Sequence, residues 1–144
     1  MKKFNHEGNL SQNLNLSFRE FKEAFGHNAH RNKLIEAAFD LLKALKKYGT
    51  ISVYIAGSFV TNKEKPGDLD LCWDITGLHY KECKKDYPEF FTEAGIEKLR
   101  LVTGIHIACI FDSYSTDILD WFQFDRNGKK RGWVKISLFN MNTT

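Results

Sequence analysis

One stretch narrows the folds open to this chain more than any other: Ile55-Ala56-Gly57-Ser58-Phe59-Val60-Thr61-Asn62-Lys63-Glu64-Lys65-Pro66-Gly67-Asp68-Leu69-Asp70-Leu71. Its upstream end belongs to an apolar, β-branched run, residues 51–56, which lacks strict alternation and so reads as a strand buried on both faces. Gly57-Ser58 follows that strand, and residues 57–67 form a Lys-rich loop closed by Pro66-Gly67 before strand character resumes at residues 68–73. Residues two apart on a strand share a face, so Asp68 and Asp70 point to one side while Leu69 and Leu71 point into the core. Asp is disfavoured in strands, and two in alternation need a reason.

Two carboxylates on one face repel each other until a divalent ion sits beside them. Mg²⁺ (or Mn²⁺) suits the pair, because it takes one or two protein carboxylates and completes its shell with water and phosphate oxygens. Gly57, lacking a β-carbon, lets a phosphate approach the backbone, and the Ser58 hydroxyl can donate to it. Lys63 and Lys65 lie in the same loop and can neutralise a triphosphate, although loop lysines are commonly just solvated.

The remaining pattern is helical and strand segments in alternation. Ser17-Phe18-Arg19-Glu20 is a capping box for a first helix that Gly26 ends, with Phe18, Phe21 and Phe25 on its packing face. A second helix is expected over residues 29–47, from the periodic Leu34, Ile35, Ala38, Leu41, Leu42 and Leu45, with Gly49 as its stop. Residues 78–101 read as mainly helical with a break near Pro88, 104–111 as a strand, 117–124 as a helix and 132–139 as the final strand. The pattern predicts an α/β (α+β) domain, a mixed β-sheet flanked by helices. With 144 residues, one domain over 1–144 is expected, its first residues, 1–16, loosely ordered.

Composition excludes several classes. A formal net charge of +3 is too small a bias for a dedicated nucleic-acid binder, whereas nucleotide phosphate would suit it. Cys72, Cys83 and Cys109 have no metal-ligand spacing, and an odd count argues against a disulfide framework, so a reducing, cytoplasmic setting is expected. No apolar run approaches the length needed to cross a bilayer, and the polar start lacks a signal-peptide core. His27, His30, His79 and His106 lack the spacing of a zinc site, and no nucleophile motif surrounds any Ser or Cys.

The quoted stretch resembles the signature of the polymerase β-like nucleotidyltransferase superfamily: a hydrophobic residue, Gly-Ser, a spacer, then Asp-hydrophobic-Asp. The form Gly-Ser-Phe-Val-Thr followed by Pro-Gly-Asp-Leu-Asp is similar to a bacterial branch of these domains. That branch places a Phe-rich helix and an Arg-containing helix before the motif, as Phe21 to Phe25 and Arg31 stand here, and closes on a segment like Trp121 to Gly128.

The resemblance implies a nucleotidyltransferase-like fold and transfer of a nucleoside monophosphate from a nucleoside triphosphate to a hydroxyl of a protein or small molecule. Such enzymes hold two metal ions with three carboxylates; Asp68 and Asp70 match the first two. The third normally comes from a later strand, here 104–111, where alternation puts Gly104, His106, Ala108 and Ile110 on one face and Asp112 just past the end. No carboxylate lies inside that strand, so either Asp112 or His106 is left to complete the site. The alternative is a catalytically weak nucleotide- or partner-binding module, such as an antitoxin-like member of a bacterial two-gene defence system with a partner encoded by a neighbouring gene. An exposed patch of Trp121, Phe122, Phe124 and Trp133 would favour it.

Overall fold

The computed structural model describes residues 4–112, 114, 115, 117–125, 127–139 and 141. They form a five-stranded mixed sheet with helices. In chain order come β1 (Leu14–Ser17), α1 (Phe18–Phe25), α2 (Ala29–Lys47), β2 (Ser52–Ala56), a 3₁₀ turn (Gly57–Val60), β3 (Leu69–Asp74) and α3 (Tyr80–Asp86). A second 3₁₀ turn (Pro88–Phe91), α4 (Glu93–Thr103), β4 (Ile105–Phe111), α5 (Asp117–Trp121) and β5 (Val134–Ser137) complete it. The sheet order is β1-β5-β2-β3-β4, with β2 antiparallel to both neighbours and the outer pairs parallel.

Local chemistry starts the helices where the sequence marks them. The Ser17 hydroxyl accepts from the Glu20 backbone N–H at 3.1 Å, and the Glu20 carboxylate accepts from the Ser17 N–H at 2.9 Å, closing the box at the start of α1. Asn28 caps α2 through its side-chain oxygen, which accepts from the Arg31 N–H. The strands then sort by parity. Val53, Ile55, Leu69, Leu71, Trp73, Ile105, Ile107, Val134 and Ile136 are buried in one core with the apolar stripes of α1 and α2. A smaller cluster of Tyr54, Cys72, Phe111 and Leu119 covers part of the second face.

Three differences from the sequence reading have physical causes. Residues 14–17, expected to fall mostly in a loosely ordered start, form an edge strand paired in parallel with β5, more than a hundred residues away in the chain. Only long-range pairing stabilises so short a strand. Cys72 and Cys109, for which no disulfide was expected, sit on neighbouring strands with Cα atoms 4.8 Å apart and are disulfide-bonded; Cys83 is free and buried. The register of β3 against β4 shifts between Leu71 and Cys72, so that Ile107 faces Leu71 but Cys109 faces Cys72. Ala108 is thus an extra residue in β4, and a one-residue insertion flips the parity of every later position in the strand. Hence His106 shares its face with Cys109 and Phe111, not with Ala108 and Ile110.

Among the described residues, no helix is long and apolar enough to cross a membrane. Arg126 of the closing segment lies outside the described residues.

Candidate functional site

The site forms where β2 ends and β3 begins. Ala56 pairs with Asp70, which brings the turn at Gly57 against the Asp70 side chain. Gly57 has φ +74°, and a Cβ placed on it would lie 2.3 Å from Asp70 Oδ2. Both facts demand glycine: the left-handed backbone disfavours other residues, and a methyl group would occupy the space over the carboxylate. Gly57→Ala is therefore expected to cost about 1–3 kcal/mol in chemical denaturation. A loss well below that range would show that the turn relaxes without strain.

What holds the Gly-Ser turn is a buried arginine. Arg31 is fully buried at the start of α2, and its guanidinium donates to four main-chain carbonyls. Those of Phe59 and Thr61 accept at 2.8 Å each, that of Lys63 at 2.6 Å and 3.2 Å, and that of Phe25 at 3.3 Å. The guanidinium also lies 4.8 Å from the centre of the Phe59 ring, and burial lowers its pKa. Asn28 donates to the Glu64 carbonyl at 2.8 Å, and a His30 ring nitrogen lies 2.6 Å from the Pro66 carbonyl. The loop after Gly57-Ser58 is thus laid along the start of α2 by polar contacts from Asn28, His30 and Arg31. Lys63 and Lys65 are exposed on it. Sequence reading placed Arg31 in a helix before the motif without finding this task, since its partners are main-chain atoms that carry no sequence signal.

The two aspartates take separate partners. Asp70 sits in β3 opposite His106 of β4, with Oδ1 3.0 Å from His106 Nδ1, leaving Oδ2 toward Gly57. Burial raises the pKa of Asp70; the His106 hydrogen bond opposes this, and the charge of Asp68 adds to it. Asp68 lies one residue before β3, and its Oδ2 is 3.7 Å from Nη1 of Arg100 in the last turn of α4. Arg100 is itself gripped by Glu97, which accepts from Nε at 3.0 Å and from Nη2. Arg100 and Glu97 escaped the sequence reading because a basic residue near a helix C-terminus looks like an ordinary dipole partner.

Asp112 does not join this site. It follows Phe111, at the opposite end of β4 from His106, and its Oδ1 accepts from the Tyr114 N–H and the Ser115 hydroxyl in a local turn. Six residues of strand separate it from His106, about 20 Å at the usual rise. Of the two residues left open, His106 is therefore the one in contact with Asp70.

The hard donors at this corner are two carboxylates, fewer than a cage of protein ligands alone would need. Asp68 and Asp70 carry hard oxygens, and Asp70 Oδ2 packs against Gly57 where a β-carbon would stand. A cage made by protein alone is not formed: among the described residues, no group of three or more His, Cys, Asp or Glu is arranged to hold a metal. An apolar cleft of about 590 Å³ between α2 and α4, lined by residues such as Leu41, Phe90, Leu99 and Val102, lies apart from these groups.

The family described as "Family of unknown function (DUF6932)" matches residues 2–137. No curated protein and no solved structure matches the chain.

Proposed function

We propose that this chain, which belongs to the DUF6932 family, is a metal-dependent nucleotidyltransferase that moves a nucleoside monophosphate from a nucleoside triphosphate to a hydroxyl of a protein or small molecule. The observation that supports it is the meeting of Gly57, at positive φ, with the Asp70 carboxylate. A strand end without a side chain lets the Asp70 carboxylate lie against the backbone of the turn, so a phosphate bound at the Gly57-Ser58 backbone would meet an ionisable oxygen.

Asp68 and Asp70 would hold Mg²⁺ or Mn²⁺, which when bound screens and aligns the triphosphate. Gly57 and Ser58 present backbone and hydroxyl to the phosphates, with Lys63 and Lys65 as outlying positive charge. With Nδ1 as the donor to Asp70 Oδ1, His106 carries its lone pair on Nε2, the tautomer of a general base. In the reaction, the acceptor oxygen bonds to the α-phosphorus, the bond from that phosphorus to the bridging oxygen breaks, and pyrophosphate leaves. The hydroxyl proton passes to His106 Nε2. We place this chemistry in the cytoplasm, where triphosphates abound; the Cys72–Cys109 bond stands against that placement, since such bonds are rare in reducing compartments.

Thermal melts test the reading. Saturation with metal and the right triphosphate, at a hundred times its Kd, contributes about 2.7 kcal/mol. For a domain of this size that is roughly 5–10 °C in Tm. If Mg²⁺ or Mn²⁺ with each of the four triphosphates in turn leaves the Tm unmoved, the reading fails.

One observation favours the binding-module alternative. Trp121 is 71% exposed and Phe124 55% exposed, while Phe122 and Trp133 pack against the smaller cluster. Half of the expected aromatic patch is therefore open to a protein partner encoded nearby. Nucleotide binding without transfer to that partner would favour this alternative.

A further inference from the structure

A two-carboxylate site facing a triphosphate is short of positive charge, and the fold supplies a cation that the motif does not contain. We propose that Arg100 is a built-in counter-cation of this site, which contacts the polyphosphate of the nucleotide and takes the place of a second metal ion. The inference rests on the nucleotidyltransferase reading and names how that site recognises its substrate.

Three features of Arg100 carry it. First, its position is fixed by Glu97 on the same helix, whose carboxylate grips Nε and Nη2 together. A guanidinium with one edge held in this way loses little freedom when its remaining nitrogen meets a ligand. Second, Nη1 faces Asp68 Oδ2 at 3.7 Å, too far for a hydrogen bond and close enough for strong mutual attraction. Nη1, unlike Nε and Nη2, thus lies beside the site without a hydrogen bond to Asp68. Third, the side chain is 33% exposed, so an anion can reach it from solvent.

The carboxylate inventory points the same way. A second metal ion needs a further acidic ligand, and the strand position opposite Asp70 holds His106 instead. Asp112 is at the other end of β4. Arg100, placed on the Asp68 side of the pair, supplies charge where the ligands for a second ion are missing. It also competes with a lone metal ion for Asp68, so removing it has two opposite effects.

The experiment compares native protein with Arg100→Ala and Arg100→Lys, using Mn²⁺ with and without a non-hydrolysable triphosphate analogue. Calorimetry gives the analogue affinity, and electron paramagnetic resonance counts bound Mn²⁺. The native protein is expected to bind one Mn²⁺ per chain with the analogue present. Arg100→Ala is expected to bind Mn²⁺ alone at least as tightly as native, yet to bind the analogue about tenfold to a hundredfold more weakly, the usual worth of a charge-assisted contact. Arg100→Lys, which keeps the charge but loses the fork, should fall between. Unchanged analogue affinity in Arg100→Ala, or two Mn²⁺ per native chain, overturns the proposal while leaving the nucleotide reading standing. If native protein binds no analogue with any of the four bases, the reading beneath it fails, and the proposal with it.

Discussion

Arg31→Met is expected to destabilise the domain by about 3–5 kcal/mol, the range seen when one partner of a buried, charged hydrogen-bond network is removed. For a chain of this length that lowers the Tm by roughly 10–15 °C. The substitution keeps most of the volume and removes a buried charge, which on its own would help. The carbonyls decide the sign: those of Phe25, Phe59, Thr61 and Lys63 all lose the same donor group, and the three from Phe25, Phe59 and Thr61 bond to it in buried surroundings. A single apolar thioether offers none of them a donor. Arg31→Lys keeps a charge but offers one ammonium in place of a planar fork, so it should recover only part of the loss. Denaturant titration of both variants measures this. A loss under about 1 kcal/mol for Arg31→Met, no more than one ordinary hydrogen bond, would mean that water replaces the guanidinium without penalty and that the loop is held by its own packing. The same variant, assayed below its melting range, should bind nucleotide more weakly, because the turn that starts at Gly57 is no longer pinned to α2.

How far the sequence discloses the fold depends on how local each signal is. The capping box at Ser17 and Glu20, the helical period of Leu34 to Leu45 and the glycine stops act within a few residues, and α1 and α2 stand where those signals put them. The break near Pro88 is a 3₁₀ turn between two helices, with proline at its first position. Strand β1 was not legible, because Leu14 and Leu16 are too few to declare a strand and their partners in β5 lie at the other end of the chain. The same holds for the site. Gly57 and Asp70 could be read together because the motif spaces them along adjacent antiparallel strands. The contact of Asp70 with His106 needed the register of β3 on β4, and the pairing of Cys72 with Cys109 needed the extra residue at Ala108; no local pattern marks either. Arg100 reaches Asp68 only because α4 and the start of β3 are neighbours in space, joined where the Leu69 N–H donates to the Gly104 carbonyl at 2.9 Å.

Asp70→Asn should abolish nucleotide transfer, and His106→Ala should lower it by about 10²–10⁴, the contribution of a positioned proton acceptor. They should differ in binding. Asp70→Asn removes an oxygen anion that a metal requires, so metal-dependent triphosphate binding disappears; His106→Ala leaves it in place and loses only the base. Stability separates them again. The pKa of Asp70 is raised in the fold, first by burial, so its protonated form is the one the fold prefers. A group raised in this way stabilises the protein fully below its unfolded pKa, about 3.9, and loses that contribution as pH rises through the folded value. At neutral pH the native protein bears a buried carboxylate charge that Asn lacks, so Asp70→Asn should be at least as stable as native in the absence of metal. That advantage should vanish below about pH 4, where native Asp70 is protonated as well. Asp112→Asn is the control, since its carboxylate only closes a turn at the far end of β4. A residue that costs stability at working pH and abolishes binding when neutralised is held there for its charge. If Asp70→Asn instead unfolds the protein at neutral pH, its carboxylate is a structural partner of His106 and not a ligand site, and the transfer mechanism loses its anchor.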